Sequence, residues 1–327
     1  MRIFGPNLWG WVADHTQKRV VVLRITAAAA LLMFAGMFFG HTFLQFFLVV
    51  IAVNAFTSAQ GPLSEALMLS EMGGDLTHYG RIRLWGSVGF IVLVMLAGQL
   101  LDWRGIHLFP AICFVMLSLA LIASMRMREQ PQLSAVYDTP SVISLLRRRE
   151  VAAFFTSTFL MIAAHAALYV FYSLYLADLG YSKTVIGLMW ALGVIVEIAC
   201  FFYQAPLFRR FGVQTLMIAS LLLAVVRFLM IGFCAQSLWL LMVAQVLHAA
   251  TFGVHHSSSV MTLQRWFSGA LQARGQALYI SISYGLGGTL GGLAFGELWS
   301  KFGAQSVYFA AAMCALGGAL AMSLSYR

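Results

Sequence analysis

Charge is what this sequence has least of. Asp, Glu, Lys and Arg make up 9% of its 327 residues, against 61% hydrophobic. Soluble domains carry about 25% charged and about 45–50% apolar residues. A globule cannot cover its surface from so small a supply, which excludes a cytosolic enzyme, a nucleic-acid module and a disordered chain. Cysteine is also sparse. Cys113, Cys200, Cys234 and Cys314 sit in separate apolar runs, which excludes a disulfide framework and a zinc site. Alternating polarity is missing from runs such as Leu216 to Val226, so a β-barrel is excluded. Met1 to Trp11 has no apolar core ending in small residues and does not read as a signal peptide.

Long hydrophobic runs fill the chain instead. A span needs about 20 apolar residues to cross about 30 Å of hydrocarbon. Ten runs qualify, at 20–39, 43–69, 82–101, 107–125, 151–177, 184–207, 213–233, 237–262, 275–297 and 303–325. The expected fold is an all-α polytopic membrane protein. One longer connection, 126–150, holds two prolines and five arginines. It divides an N-terminal bundle (1–125, four spans) from a C-terminal six-helix bundle (151–327). One set of loops carries fifteen Lys and Arg residues; the other carries only Arg104, Lys183 and Lys301. The positive-inside rule then puts the long loop and the C-terminus in the cytoplasm. The +9 net charge is explained by that rule and not by nucleic acid. Many secondary transporters are two six-span halves. Residues 1–11 read as the tail of a span begun upstream, so about ten of an expected twelve spans are visible. A genuine ten-span protein is the alternative.

Three constellations carry chemistry. The first is Gly10-Trp-Val-Ala-Asp14-His-Thr-Gln-Lys18-Arg19, in a short cytoplasmic turn. Gly10 permits close helix approach. Asp14 can accept bonds from a helix N-terminus or an arginine, forming a latch that holds one conformation. The second is Glu197, Arg227 and His248, ionisable residues near the middle of three successive spans. Mid-membrane charge costs about 2.5–3.5 kcal/mol on insertion scales. An acid, a permanent cation and an imidazole suit a proton relay, in which an arginine beside Glu197 would favour the carboxylate. A purely structural pair is the alternative. His165, also mid-span, is either a substrate ligand or a histidine bonded to a neighbouring helix. His248 and His255 share a helix face, but no third ligand stands at metal spacing, so no metal site is expected.

The third constellation is Glu65 with Arg81 and Arg83. Glu65 and Arg83 lie at matching depths on antiparallel neighbours, and Gly61-Pro62 can break the helix to line a cavity. Arg83 can clamp a carboxylate in a bidentate way. A salt bridge at the membrane face is the alternative. Trp85, Phe90, Tyr169, Phe171, Tyr172, Trp190, Tyr203 and Tyr284 supply aromatic walls. Gly287 with Gly291, and Gly288 with Gly292, are small-xxx-small pairs for close helix packing.

The Gly10 to Arg19 turn resembles the loop 2–3 signature of the major facilitator superfamily, with His15 in place of its first basic residue and Gln17 in place of its glycine. The stretches HYGRIRLWGSVGF at 78–90, AHAALYVFYSLYL at 164–176 and YSKTVIGLMWALGVIVE at 181–197 resemble the phenylpropionate permease family and its lactose permease-like relatives. The resemblance covers essentially the whole chain. It implies the superfamily fold and alternating access in a bacterial inner membrane, and no enzymatic activity. It implies substrate contacts at Glu65, Arg83 and Phe90, to which the mid-span His165 is added as a candidate, and proton coupling at Glu197, Arg227 and His248. Phe90 stands where a sugar-stacking tryptophan would, which argues against galactosides. Gln245 and Thr251 stand where a lysine and an acid would, which puts the weight of coupling on Glu197. The expectation is proton symport of a small organic solute, with an aromatic carboxylate such as 3-phenylpropionate favoured. Another solute (nucleoside, oligosaccharide or drug) and a non-transporting remnant are the alternatives. No cofactor beyond the coupling proton is expected. The expected partners are the solute and the lipid bilayer, with no nucleic acid, and the protein is expected to be a monomer.

Overall fold

A chain inside hydrocarbon must satisfy its backbone polar groups within itself, which favours continuous helices. The computed structural model describes residues 4–72, 76–128, 142–268 and 271–325. Among the described residues there are helices and turns and no strand. Eight segments are long and apolar enough to cross a membrane. One of them, Val185–Cys234, runs 50 residues, too long for a single crossing. Gly212 divides it with φ 75 and ψ 162, just after the Arg209-Arg210 pair. The 29-residue helix Leu76–Arg104 adds a further apolar passage. With that helix and the division at Gly212, the ten passages read from the sequence are all helical. Much of the 126–150 connection, residues 129–141, lies outside the described residues. The chain forms two compact units, and each takes segments from both sides of that connection.

The first unit comprises residues 1–74, 88–139 and 267–281. It contains α1 (Gly5–Thr16), α2 (Arg19–Ala35), α3 (Phe43–Thr57), α4 (Gln60–Met72), the later part of α5 (Leu76–Arg104) and α6 (Phe109–Arg126). Its core is made of small and branched residues, among them Ala13, Val20, Leu23, Leu63, Ala66 and Ala273. The interruption at Ser58–Ala59 follows from Pro62, which cannot donate to the Ser58 carbonyl one turn earlier. Thr42 and Gln45 form a reciprocal capping box at the start of α3. Arg24 on α2 donates to the carbonyls of Ser124, Met125 and Met127 at 3.2, 3.1 and 2.6 Å. It thereby satisfies the open end of α6.

The second unit comprises residues 75–87, 140–266 and 282–327. Here α8 (Arg149–Ala166) packs on α14 (Gly288–Phe302) and α15 (Ala304–Ser325). The α8 contact depends on glycine at two positions. A Cβ on Gly287 would lie 2.7 Å from the Phe159 carbonyl oxygen, and one on Gly291 would lie 2.7 Å from that of Ala163. Gly288 and Gly292 are less constrained, with nearest neighbours at 3.9 Å. The close-packing stripe is therefore the Gly287–Gly291 pair. Beyond α7 (Val142–Leu146) and α9 (Tyr172–Asp178), α10 (Lys183–Cys234) packs on α11 (Leu238–His248) and α12 (His255–Trp266). Among the described residues three stretches are π-helical: Ile280–Gly287, whose later part belongs to this unit, and two wholly within it, Ala167–Phe171 and Ala249–Val254. Such widened turns concentrate at functional sites, and the latter two follow His165 and His248 closely in sequence.

Candidate functional site

The second unit brings three helices together around Glu197. The carboxylate is buried on α10. Its Oε1 accepts a hydrogen bond from the Ser87 hydroxyl at 3.2 Å. Its Oε2 stands 3.7 Å from His248 Nε2 on α11. Arg83 adds an electrostatic interaction and places its guanidinium 5.0 Å from the centre of the Phe201 ring. Gly253 packs beside this acid: a Cβ there would stand 3.6 Å from Glu197 Cγ, an ordinary contact.

Arg227 is fully buried on α10 but does not pair with Glu197. It donates to neutral oxygens instead: the Ala244 carbonyl at 2.9 Å, Thr251 Oγ1 at 3.2 Å and Gln245 Oε1 at 3.4 Å. Its interaction with His248 and His165 is through space. At Glu197 the place expected of Arg227 is taken by the His248 imidazole on α11. His165 lies fully buried on α8, its ring centre 6.2 Å from that of His248. Tyr169, Tyr172 and Trp190 form an aromatic group beside it. Trp190 stacks with Tyr169 at 6.5 Å and meets Tyr172 edge-on at 5.5 Å. Among the described residues no group of three His, Cys, Asp or Glu stands together in a way that would hold a metal.

The four expected substrate contacts divide between the units. Arg83 and His165 belong to the second; Glu65, half-buried on α4, and Phe90, largely exposed on α5, belong to the first. Helix α5 begins at Leu76, so Arg81 and Arg83 lie inside it and do not open it.

The first unit holds the Gly10–Arg19 turn. Asp14 Oδ2 accepts the backbone N–H of Arg274 at 3.0 Å. That donor lies in the first turn of α13 (Gln272–Tyr279), where N–H groups have no partner inside the helix. Arg19 is buried, 3.6 Å from Asp14 Oδ1, and donates to Gln272 Oε1 at 3.3 Å. Gly10 makes this docking possible, since a Cβ there would lie 2.9 Å from Ala277 Cβ. Lys18 is exposed and precedes α2 as its N-cap. Gln17, at the glycine position of the motif, has a left-handed φ of 55. Its side chain donates to the Asp14 carbonyl, which helps hold that conformation. Burial raises the Asp14 carboxyl from an ordinary 3.8 to about 7, and Arg19 and the Arg274 N–H offset only part of that rise.

Ser87, Gln245 and Thr251 complete the cluster. Gln245 and Thr251 were marked in the sequence only as departures from the related permease, and Ser87, a common residue in a helical run, carried no signal.

Residues 1–310 match the family described as the MFS_1 like family. The chain is 29% identical over 287 residues to the probable 3-phenylpropionic acid transporter of Escherichia coli (strain K12), covering 87% of this chain and 75% of that one. It is 28% identical over 323 residues to the maltose permease of Geobacillus stearothermophilus, covering 97% and 80%. Among solved structures it resembles the human organic anion transporter MFSD10, with a TM-score of 0.79 at 18% identity, covering 98% and 80%.

Proposed function

The chain belongs to the MFS_1-like family of membrane transporters, and we propose that it is a proton-coupled symporter of a small organic solute. It is a transporter of the major facilitator type and not an enzyme. The observation that carries the proton reading is Glu197: a buried carboxylate held by a hydroxyl from α5 and an imidazole from α11. In the ionised state this acid accepts a hydrogen bond from Ser87, faces the Arg83 charge and stands beside His248, so one charge sits where three helices meet. Protonation removes the charge and loosens the hold, which gives a two-state element biased by a proton. The Asp14 turn supplies a second contact that closes in one conformation and opens in the other. The basic loops face the cytoplasm of a bacterial inner membrane in this reading, and the monomer is the working unit.

An aromatic carboxylate such as 3-phenylpropionate is the favoured solute. The Escherichia coli relative is named for it. A cationic Arg83 beside Phe201, with Tyr169, Tyr172 and Trp190 in the same unit, offers both charge and ring surfaces. A sugar or nucleoside is the second reading, favoured by the maltose permease and by the 23% identical nucleoside permease NupG of Escherichia coli. Glu197→Gln tests the coupling in proteoliposomes. It should abolish proton-driven accumulation and leave solute exchange intact. Unchanged accumulation removes Glu197 from the mechanism.

A further inference from the structure

Among the described residues, the buried imidazoles of His165 and His248 in the second unit each present a nitrogen with no hydrogen-bond partner. His165 Nδ1 lies 2.9 Å from the Met161 carbonyl oxygen. A carbonyl only accepts, so in the neutral ring Nδ1 carries the hydrogen and the lone pair is on Nε2. That Nε2 is buried and has no hydrogen-bond partner. His248 turns Nε2 toward Glu197 Oε2, and its other nitrogen, Nδ1, is likewise buried without a partner. The ring centres are 6.2 Å apart. This is too long for a direct bond between the rings and suits one bridging hydroxyl or water. The rings are held in place: Phe228 meets His165 edge-on at 5.4 Å, and Phe252 stacks on His248 at 5.4 Å.

We propose that His165 is the second imidazole of a proton relay running Glu197–His248–His165 across α10, α11 and α8, and is not a ligand for the solute. The proposal rests on Glu197 being the coupling acid. The step starts from protonated Glu197 and the Nδ1–H form of His248. A side-chain movement first closes the 3.7 Å between Glu197 Oε2 and His248 Nε2 to hydrogen-bond length, and the Glu197 O–H bond then breaks as an Nε2–H bond forms on His248. The Nδ1–H proton leaves to a bridging water, and that water passes its own proton to His165 Nε2. Glu197 ends ionised, His248 neutral and His165 cationic; no electrons are gained or lost. Among the described residues, the charged and titratable groups facing His165 are Arg227, His248, His255 and Tyr169, those facing His248 are Glu197, Arg227 and His165, and those facing Glu197 besides His248 are Arg83 and Cys200. Arg227 faces both rings with a permanent charge, which favours onward passage of the proton over its storage.

The test reads the proton directly and needs no solute. Glu197→Gln identifies the Glu197 carboxyl band in the infrared spectrum of the reconstituted protein. An upward pH jump then times the loss of the proton from Glu197. His165→Asn retains an amide donor for the Met161 carbonyl and lacks the second nitrogen. It should slow Glu197 deprotonation at least ten-fold while leaving the extent of deprotonation unchanged. An unchanged rate overturns the proposal, as does a rate and extent that fall together. A second measurement uses the unmodified protein, so it stands even where the variant does not fold. Nitrogen-15 NMR should show His165 as the Nδ1–H form and His248 exchanging between its two forms. A His165 ring carrying hydrogen on Nε2, or a single fixed His248 form, overturns the relay. If the Glu197 band does not titrate in the unmodified protein, the coupling reading itself fails and the relay falls with it. If the band titrates and only the His165 results are negative, the coupling reading stands.

Discussion

Asn at position 14 should flatten the pH dependence of this protein's stability. The Asp14 carboxyl is raised from 3.8 to about 7, chiefly because burial disfavours its charge. Between those values the folded protein holds a proton that the unfolded chain has released. The stability linked to Asp14 is therefore fully present below 3.8. It falls as pH rises from there through about 7 and is level above that. A shift of about three pH decades corresponds to about 4 kcal/mol, an upper figure for a site that keeps some access to water. Asn cannot ionise, yet it retains an oxygen to accept the Arg274 N–H. The assay is unfolding in detergent across pH 4 to 8, comparing Asp14→Asn with the unmodified chain. The two should agree near pH 4 and separate as pH rises, with the variant the more stable at pH 8. Arg19→Gln should move the inflection further up, because the cation that partly offsets burial is gone. Parallel curves for Asp14→Asn and the unmodified chain would refute the reasoning.

Packing and hydrogen bonding give the remaining expectations. Gly291→Val forces a side chain onto the Ala163 backbone, 2.7 Å from a new Cβ, and should sharply lower folded yield, while Gly292→Ala should be tolerated; size-exclusion profiles distinguish them. Thr251→Val removes the acceptor of the Arg227 Nη1 bond and should cost about 1–3 kcal/mol, read from unfolding midpoints. Gln17→Gly relieves a left-handed conformation worth about 1–2 kcal/mol but loses the bond to the Asp14 carbonyl, so its net gain should stay below about 1 kcal/mol.

Those residues also show what was legible in the sequence. The helical passages could be read because hydrocarbon leaves a spanning chain few alternatives, and the length of each run sets each crossing. The turn after Arg209-Arg210 was marked by its charge, and Gly212 supplies the backbone angle that makes it. The Asp14 turn could be read as meeting a helix N-terminus or an arginine because a buried carboxylate needs such donors, and the Arg274 N–H and Arg19 are the groups it meets. Partner choice was less legible. Arg227 and Glu197 are the strongest opposite charges in adjacent spans, yet Arg227 spends its donors on a carbonyl, a threonine and a glutamine, and Glu197 meets His248. Rotation about the helix axis decides such pairings, and apolar runs encode it weakly. The π turns at 167–171 and 249–254 change that rotation beside the histidines and leave no mark in composition. Helix α5 contributes to both units, so Glu65 and Arg83 belong to different units, a division that sequence spacing does not encode.

The central claim is that protons move inward with solute and that Glu197 carries them. Proteoliposomes in a lightly buffered medium with a pH-sensitive dye measure this directly, using 3-phenylpropionate, maltose and a nucleoside in turn, against protein-free vesicles. One of these solutes should make the external medium more alkaline beyond the protein-free control, and Glu197→Gln should abolish that change. Acidification on adding solute, or alkalinisation that survives Glu197→Gln, would contradict the account.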